Sequence, residues 1–337
     1  MVLRKGHATY RGICKELGAE LICIRGPDTN FSLRPYFYRF QIPIAIVYSF
    51  FNILFYRKKN GVLYLCAGPQ TIWFALFMRW FRRERNKIIM LVADATFDFE
   101  HSSWLAKKYV LWISKRVIGI IAASPLIADM AKKQVNCPVD YYVDTNVRGY
   151  RYFASLTPDF ESKNFIHVGK FQMVKGIDIT AKAMGRVCSA IDNKFYILGL
   201  DMESGLKKMG LSNSHFVYPG YTDPINFLGK SAFYIQIARL EASGTSVVEA
   251  MAAGVIPFVN DRVGHYVLVR KVSPSLVVDS NPDKAAKFII DFVRSTPLSR
   301  LKALSAKCRA VARTRELPVV AGEVRAIIKK MVKNSIS

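Results

Sequence analysis

Short apolar, β-rich runs alternate with longer amphipathic stretches along the whole chain. In the first half the runs are Glu20–Ile24, Val62–Cys66, Ile88–Ala93, Gly119–Ala122 and Asp140–Val143. In the second they are Phe165–Val168, Lys194–Leu198, His215–Tyr218, Ala232–Gln236, Val255–Val259 and Leu276–Val278. Runs this short, separated by helical patterns, predict parallel strands with helices on both faces. The opening segment up to Ile24 leaves little room for a strand before the first of these runs. Residues 144–163, DTNVRGYRYFASLTPDFESK, break the rhythm with polar, aromatic and proline content and read as a linker. The pattern therefore predicts α/β domains over residues 1–150 and 151–320, with a last helix over 321–337 that can cross back to the first domain. The most apolar stretch, QIPIAIVYSFFNILFY at 41–56, is interrupted by Pro43 and too short for a membrane span. It reads either as a buried helix or as one lying in a membrane interface.

One stretch in the second half departs from simple alternation. In EASGTSVVEAMAAGVIPFV, residues 241–259, the helix formers of Thr245–Ala253 follow a Ser243-Gly244 cap, and Gly254 turns the chain into a buried strand. The backbone N–H groups of Gly244, Thr245 and Ser246 would lie free at the positive end of that helix, which suits phosphate. Glu249 falls four residues after Thr245 on the same face, and Glu241 lies in the loop before the cap. Upstream, FIHVGKFQMVKGID at 165–178 runs from a strand into a loop with Gly169-Lys170 and Lys175-Gly176. Ligands of open α/β sheets bind beyond the carboxyl ends of strands, so two cations there, facing the Gly244 tip, could clamp a diphosphate.

Composition narrows the partners. The chain has 337 residues, 51% of them apolar, which excludes disorder and allows two cores. Against 25 acidic residues stand 49 Lys and Arg, a net charge of +24 that implies an anionic partner without choosing among nucleic acid, lipid headgroup and phosphorylated substrate. The six scattered cysteines form no CxxC pair and predict reduced thiols in a cytoplasmic protein rather than disulfides or a metal site. The basic N-terminus lacks the apolar core of a signal peptide.

Taken together, HVGKFQMVKGID, KFYILGLD, FVYPGYTD and RLEASGTSVVEAMAAGVIPFV resemble the retaining GT-B glycosyltransferases of family 4, the large group 1 class. The last segment is similar to that family's E-x7-E motif. The resemblance implies an α/β GT-B fold, two Rossmann-like domains facing a cleft, and a hexosyltransferase that uses a nucleotide-diphosphate sugar without cofactor or metal. It further implies that Lys170 and Lys175, helped by the amides of Gly244 and Thr245, bind the diphosphate, with Gly169 and Ser246 as neighbouring substrate-binding residues. Glu249 would hold the ribose, Glu241 the donor sugar, and Tyr221 would lie near the nucleobase. Lys170 stands where the family usually has arginine, and Ile237-Ala238 replaces a usual Pro-Ser. In the N-terminal half the resemblance is weak: Thr96 takes the place of a frequent histidine, and Asp94 and Asp98 are acceptor-side candidates by position. Two other classes stay open: a nucleotide-sugar epimerase or phosphorylase of the same fold, and a non-catalytic polyanion-binding protein. The second accounts for the charge but not for Glu241 and Glu249.

Between Arg34 and Lys87 ten basic residues face one acidic residue, Glu84, amid a dense set of aromatics that includes Tyr36, Phe50, Phe51, Trp73, Trp80 and Phe81. Cations beside aromatic rings suit a membrane interface. The partners expected are a nucleotide sugar and an anionic membrane surface or lipid-linked acceptor, on the cytoplasmic membrane face, rather than nucleic acid.

Overall fold

The computed structural model of the chain describes residues 2–4, 8–20, 22–24, 46–47, 49–53, 63–81, 83, 85–94, 96–100, 102–145 and 148–335. Outside the described residues lie much of the 41–56 stretch, Arg34, Arg39, Arg57, Lys58, Lys59, Arg82, Glu84, Tyr36, Phe37, Tyr38, Phe55 and Tyr56. The chain divides into two compact units, Met1–Tyr142 with Leu317–Ser337, and Val143–Glu316.

The first unit is built on a parallel sheet whose order is β2-β1-β3-β4-β5-β6. Its strands are β1 (Val2–Arg4), β2 (Ile22–Ile24), β3 (Leu63–Ala67), β4 (Lys87–Val92), β5 (Gly119–Ala122) and β6 (Val139–Tyr141). Helix α1 (Ala8–Glu16) links β1 to β2, α2 (Ile72–Phe81) follows β3, α3 (Trp104–Ser114) follows β4 and α4 (Pro125–Lys132) follows β5. The opening segment does hold a strand, contrary to expectation. With only three residues β1 carries no readable periodicity, yet it is paired on both sides, Val2 lying opposite Ile22 and Cys66. The C-terminal helix, Leu317–Asn334, packs Val320, Val324 and Met331 against Tyr10, Ile13, Leu65, Ile89 and Ile121 of this unit. Met331 lies close over Gly119, where a Cβ would overlap its sulfur.

The second unit opens with α5 (Tyr150–Ala154), inside the segment expected to be a linker. Polar composition suggested a connector, but Phe153 is fully buried in the core and anchors the segment to this unit. Then follow β7 (Phe165–Val168), α6 (Ile177–Ile191), β8 (Phe195–Leu198), α7 (Met202–Lys208), β9 (Phe216–Gly220), α8 (Ile225–Leu228) and β10 (Phe233–Gln236). The unit continues with α9 (Thr245–Ala252), β11 (Ile256–Val259), α10 (Tyr266–Val272), α11 (Pro282–Ser295) and α12 (Leu298–Arg313). Leu276–Val278 is not a strand. A 3₁₀ turn at Pro274–Leu276 leaves only an isolated bridge between Val259 and Val277, because Pro274 starts a turn instead of a ladder.

All five strands are parallel, in the order β9-β8-β7-β10-β11. The order reverses between β7 and β10, which defines the switch point of a doubly wound sheet. Helix α9, which starts beside that point, is held at its far end by Arg309. The guanidinium donates to Ala252 O at 3.1 Å and Ala253 O at 2.8 Å, and also to Ala154 O at 2.7 Å. These carbonyls would otherwise be orphaned at the helix C-terminus.

Candidate functional site

The switch point brings two loops to one place. From β7 come Gly169 and Lys170; from β10 come Gln236 and the run to Gly244. Lys175 sits in a 3₁₀ turn, Met173–Lys175, that ends at Gly176 with φ 65°. A Cβ on Gly176 would overlap the carbonyl of Ile237, so glycine lets the two loops touch. Arg239 then fastens them. Its guanidinium grips both oxygens of Asp178 at 2.7 Å, and one nitrogen donates to Met173 O at 2.6 Å. The amides of Arg239 and Leu240 donate to Val174 O at 3.1 and 2.9 Å. Arg239 holds the Asp178 carboxyl below the usual carboxylate range, which keeps this bidentate pair ionised.

On that base Lys175 reaches Glu241, with Nζ 2.7 Å from Oε2. The Glu241 backbone is fixed as well: its N–H donates to Arg262 O at 2.9 Å and its carbonyl accepts from Gly264 N at 2.8 Å. Gly244 caps α9 at φ 82° and lies close to the Glu241 and Val263 side chains. The amide of Val247 turns back to Gly244 O, whereas the amides of Thr245 and Ser246 have no acceptor among the described residues. Two N–H groups at the positive end of a helix thus lie beside a Lys–Glu pair, an arrangement suited to a diphosphate.

Glu249 lies one turn further along α9. Burial raises its carboxyl from 4.5 to about 7, with Arg148 opposing the rise and Asp223 adding to it. Arg148 itself pairs with Asp223 at 2.6 Å, and the Tyr152 hydroxyl donates to the other Asp223 oxygen at 2.8 Å. This latch ties the start of the unit to the loop after β9. Tyr221 stands in that loop and is 83% exposed. Beneath the site His167 is buried, donates Nδ1–H to Ile235 O at 3.0 Å and is lowered by burial to about 4. It is neutral there.

The structure therefore brings together Lys175, Glu241, Gly244, Thr245 and Ser246, with Gly169, Lys170 and Glu249 on the same sheet edge. Asp94 belongs to the other unit, and its carboxylate accepts hydrogen bonds from the amide of Thr96 at 3.1 Å and from the Thr96 hydroxyl.

The sequence profile of the family described as Glycosyl transferases group 1 matches residues 151–311. The second unit is a group 1 glycosyltransferase domain. Among solved structures the whole chain is similar to Anabaena HepE in complex with UDP and glucose, with TM-score 0.72 and 12% identity over 98% of this chain and 99% of that one. It is also similar to sucrose-phosphate synthase from Thermosynechococcus elongatus, with TM-score 0.72 and 13% identity over 94% of this chain and 84% of that one. A glycosyltransferase from Rickettsia africae follows at TM-score 0.67 and 14% identity, over 99% and 98%. These likenesses establish the GT-B fold, two doubly wound parallel sheets in one chain. No curated protein matches the chain.

In this glycosyltransferase, sequence reading missed Tyr234 and Gln236, the Arg239–Asp178 clamp and the Arg148–Asp223–Tyr152 latch. A signal existed for the first pair: FYIQI puts two polar residues at i and i+2 of a core strand, hence on one face. No local pattern announced the clamp or the latch, whose partners lie 61 and 75 positions apart in sequence.

The first unit of the enzyme carries an aromatic face. Phe50 meets Phe77 and Phe81 at 6.0 and 5.7 Å, Phe77 meets Trp80 at 5.9 Å, Trp80 meets Trp73 at 6.1 Å, and Trp73 stacks on Trp112 at 5.3 Å. Phe51, Trp80, Phe81 and Trp104 are more than half exposed. Cations are interleaved: Lys108 Nζ is 3.9 Å from the Trp104 ring and Arg116 lies 3.5 Å over Trp112. A shallow groove of about 490 Å³ is lined by Lys108, Tyr109, Leu111, Trp112 and Lys115. No described helix is long and apolar enough to cross a membrane.

Proposed function

We propose that the enzyme transfers a hexose from a nucleoside-diphosphate sugar, with retention of configuration and without a metal, to an acceptor carried by a lipid or held at a membrane surface. The observation that carries this reading is the meeting of Lys175, Glu241 and the free amides of Thr245 and Ser246 at the sheet's switch point. In the reaction the bond from the sugar's anomeric carbon to the diphosphate oxygen breaks as the bond to the acceptor oxygen forms on the same face. The acceptor's proton passes to a donor phosphate oxygen. Negative charge then grows on the diphosphate, where Lys170, the α9 tip and Lys175, drawn from Glu241, stabilise it. These cations supply the charge that a divalent ion would otherwise bring. Glu249 accepts from the ribose hydroxyls, Tyr221 lies beside the base, and Glu241 orients the sugar without forming a bond to it.

The HepE structures hold UDP, with glucose in one and as UDP-glucose in another, which makes uridine nucleotides the first choice of probe. The aromatic and cationic face of the first unit supports peripheral attachment to anionic lipid. The free thiols of Cys14, Cys66, Cys188 and Cys308, all buried, fit the reducing cytoplasm. A thermal-shift panel of nucleotide sugars tests the donor assignment: one family of nucleotides should raise the midpoint, since a ligand of the folded state stabilises it. Acceptor-dependent release of the nucleoside diphosphate should follow with the same donor. A panel without any shift, or sugar isomerisation without release, would overturn the reading.

A further inference from the structure

Tyr234 and Gln236 lie on one face of β10, next to the switch point, and both are buried. A strand inside a parallel sheet ordinarily presents apolar side chains on both faces. Two polar groups there need partners, and they find them in a chain that ends in the site. Ser246 Oγ is 2.8 Å from the Tyr234 hydroxyl, which donates to Gln236 Oε1 at 2.9 Å. Gln236 Nε2 donates to Glu241 Oε2 at 3.4 Å, the same oxygen that Lys175 holds at 2.7 Å.

Chemistry sets the direction of every link. A carboxylate only accepts, so the amide nitrogen of Gln236 faces Glu241 and its oxygen faces Tyr234. The single phenol proton is used on that oxygen, and Ser246 must donate to Tyr234. Burial pushes the Tyr234 phenol far above its ordinary value, with Glu241 and Glu249 adding to the rise, so the proton stays in place. His167 stacks on the Tyr234 ring at 6.3 Å and, being neutral with its Nδ1–H spent on Ile235, brings no charge to the chain.

We infer that Tyr234 and Gln236 are positioning residues for sugar transfer: they hold the Glu241 carboxylate at the sugar and tie it to the phosphate-binding tip of α9. This rests on the donor reading above. An arriving diphosphate draws Lys175 toward itself, because its two negative charges outcompete one carboxylate oxygen. Glu241 then loses its strongest partner at the moment when its orientation matters. Gln236 is the partner that remains, and Tyr234 keeps Gln236 from turning. Small losses of alignment at a reacting centre lower rates steeply. Ser246 closes the loop: its amide faces the diphosphate while its hydroxyl is fixed to Tyr234, so the phosphate and sugar subsites share one rigid frame.

The test is the double variant Tyr234→Phe/Gln236→Leu, which keeps volume and leaves no orphaned polar group on the strand. Replacing both partners of a buried hydrogen bond by apolar groups is close to neutral for folding. Kinetics use the donor that the thermal-shift panel selects, and binding uses UDP or the matching nucleoside diphosphate. The expected result is a fall in kcat of about tenfold or more, with KM for the donor and Kd for the diphosphate within about twofold of wild type. Glu241→Gln should cost less in this background than in the wild type, because both changes remove the same function. A kcat within about twofold of wild type, or a fall no larger than the loss of folded protein by circular dichroism, overturns the inference while leaving the donor assignment intact. Wild-type protein that neither binds nor turns over any nucleotide sugar overturns both.

Discussion

Replacing Glu249 by glutamine should stabilise the free enzyme and weaken its hold on the nucleotide, and pH separates the two effects. Burial lifts the carboxyl from 4.5 to about 7, so the native state binds its proton more tightly than the unfolded chain between these values. Stability therefore falls as pH rises through that window and stays low above it. A pKa change of about 2.5 corresponds to roughly 3 kcal/mol at pH 8. Glutamine has the same shape and does not ionise. The variant should thus melt about 6–10 °C higher than wild type near pH 8 for a unit of this size, with the difference vanishing near pH 4.5. Ligand binding runs the other way. Ribose hydroxyls donate best to the ionised carboxylate, so wild-type affinity for UDP should rise with pH through about 7 more steeply than that of the variant, which binds about tenfold or more weakly and keeps only the slope of the UDP phosphate itself. Differential scanning calorimetry and isothermal titration at about pH 5 and pH 8 read both quantities. An equal melting increment at the two pH values, or a loss of stability at the higher one, would refute the burial argument. A slope in the variant equal to that of wild type would remove Glu249 from the ribose.

Lys175→Ala should lower turnover by roughly 100-fold or more, the scale of one preorganised transition-state contact, and Lys175→Arg should recover only part of it; near-normal turnover in the alanine variant would rule out the diphosphate clamp. Glu241→Gln should reduce kcat with the nucleoside diphosphate still bound, opposite to the pattern for Glu249→Gln, and calorimetry beside steady-state kinetics distinguishes them. On the first unit, co-sedimentation with liposomes should need anionic lipid and weaken with salt. It should drop when Lys108 and Lys115 become glutamate, since each cation at such a surface contributes about 1 kcal/mol; equal recovery on neutral and anionic vesicles, or none on either, would favour a soluble acceptor.

The alternation of short apolar runs was enough to predict parallel sheets, and the bounds of Gly119–Ala122 and Phe165–Val168 coincide with β5 and β7. Periodicity and caps are local properties, carried by residues within a few positions of each other, so they are legible before any fold exists. The spacing of Glu241, Gly244 and Glu249 belongs to the same class, because one helix turn relates its members. Other features had no local trace. Three-residue β1 became a strand only through neighbours on either side, and Phe153 turned an apparent linker into core. Leu276–Val278 looked like a strand until Pro274 was placed in a turn. The raised carboxyl of Glu249 depends on burial, and the chain from Ser246 through Tyr234 and Gln236 to Glu241 depends on how β10 lies under α9. Lys175 and Glu241 meet because a parallel sheet reverses its strand order between β7 and β10, bringing together loops whose separation along the chain gives no sign of it.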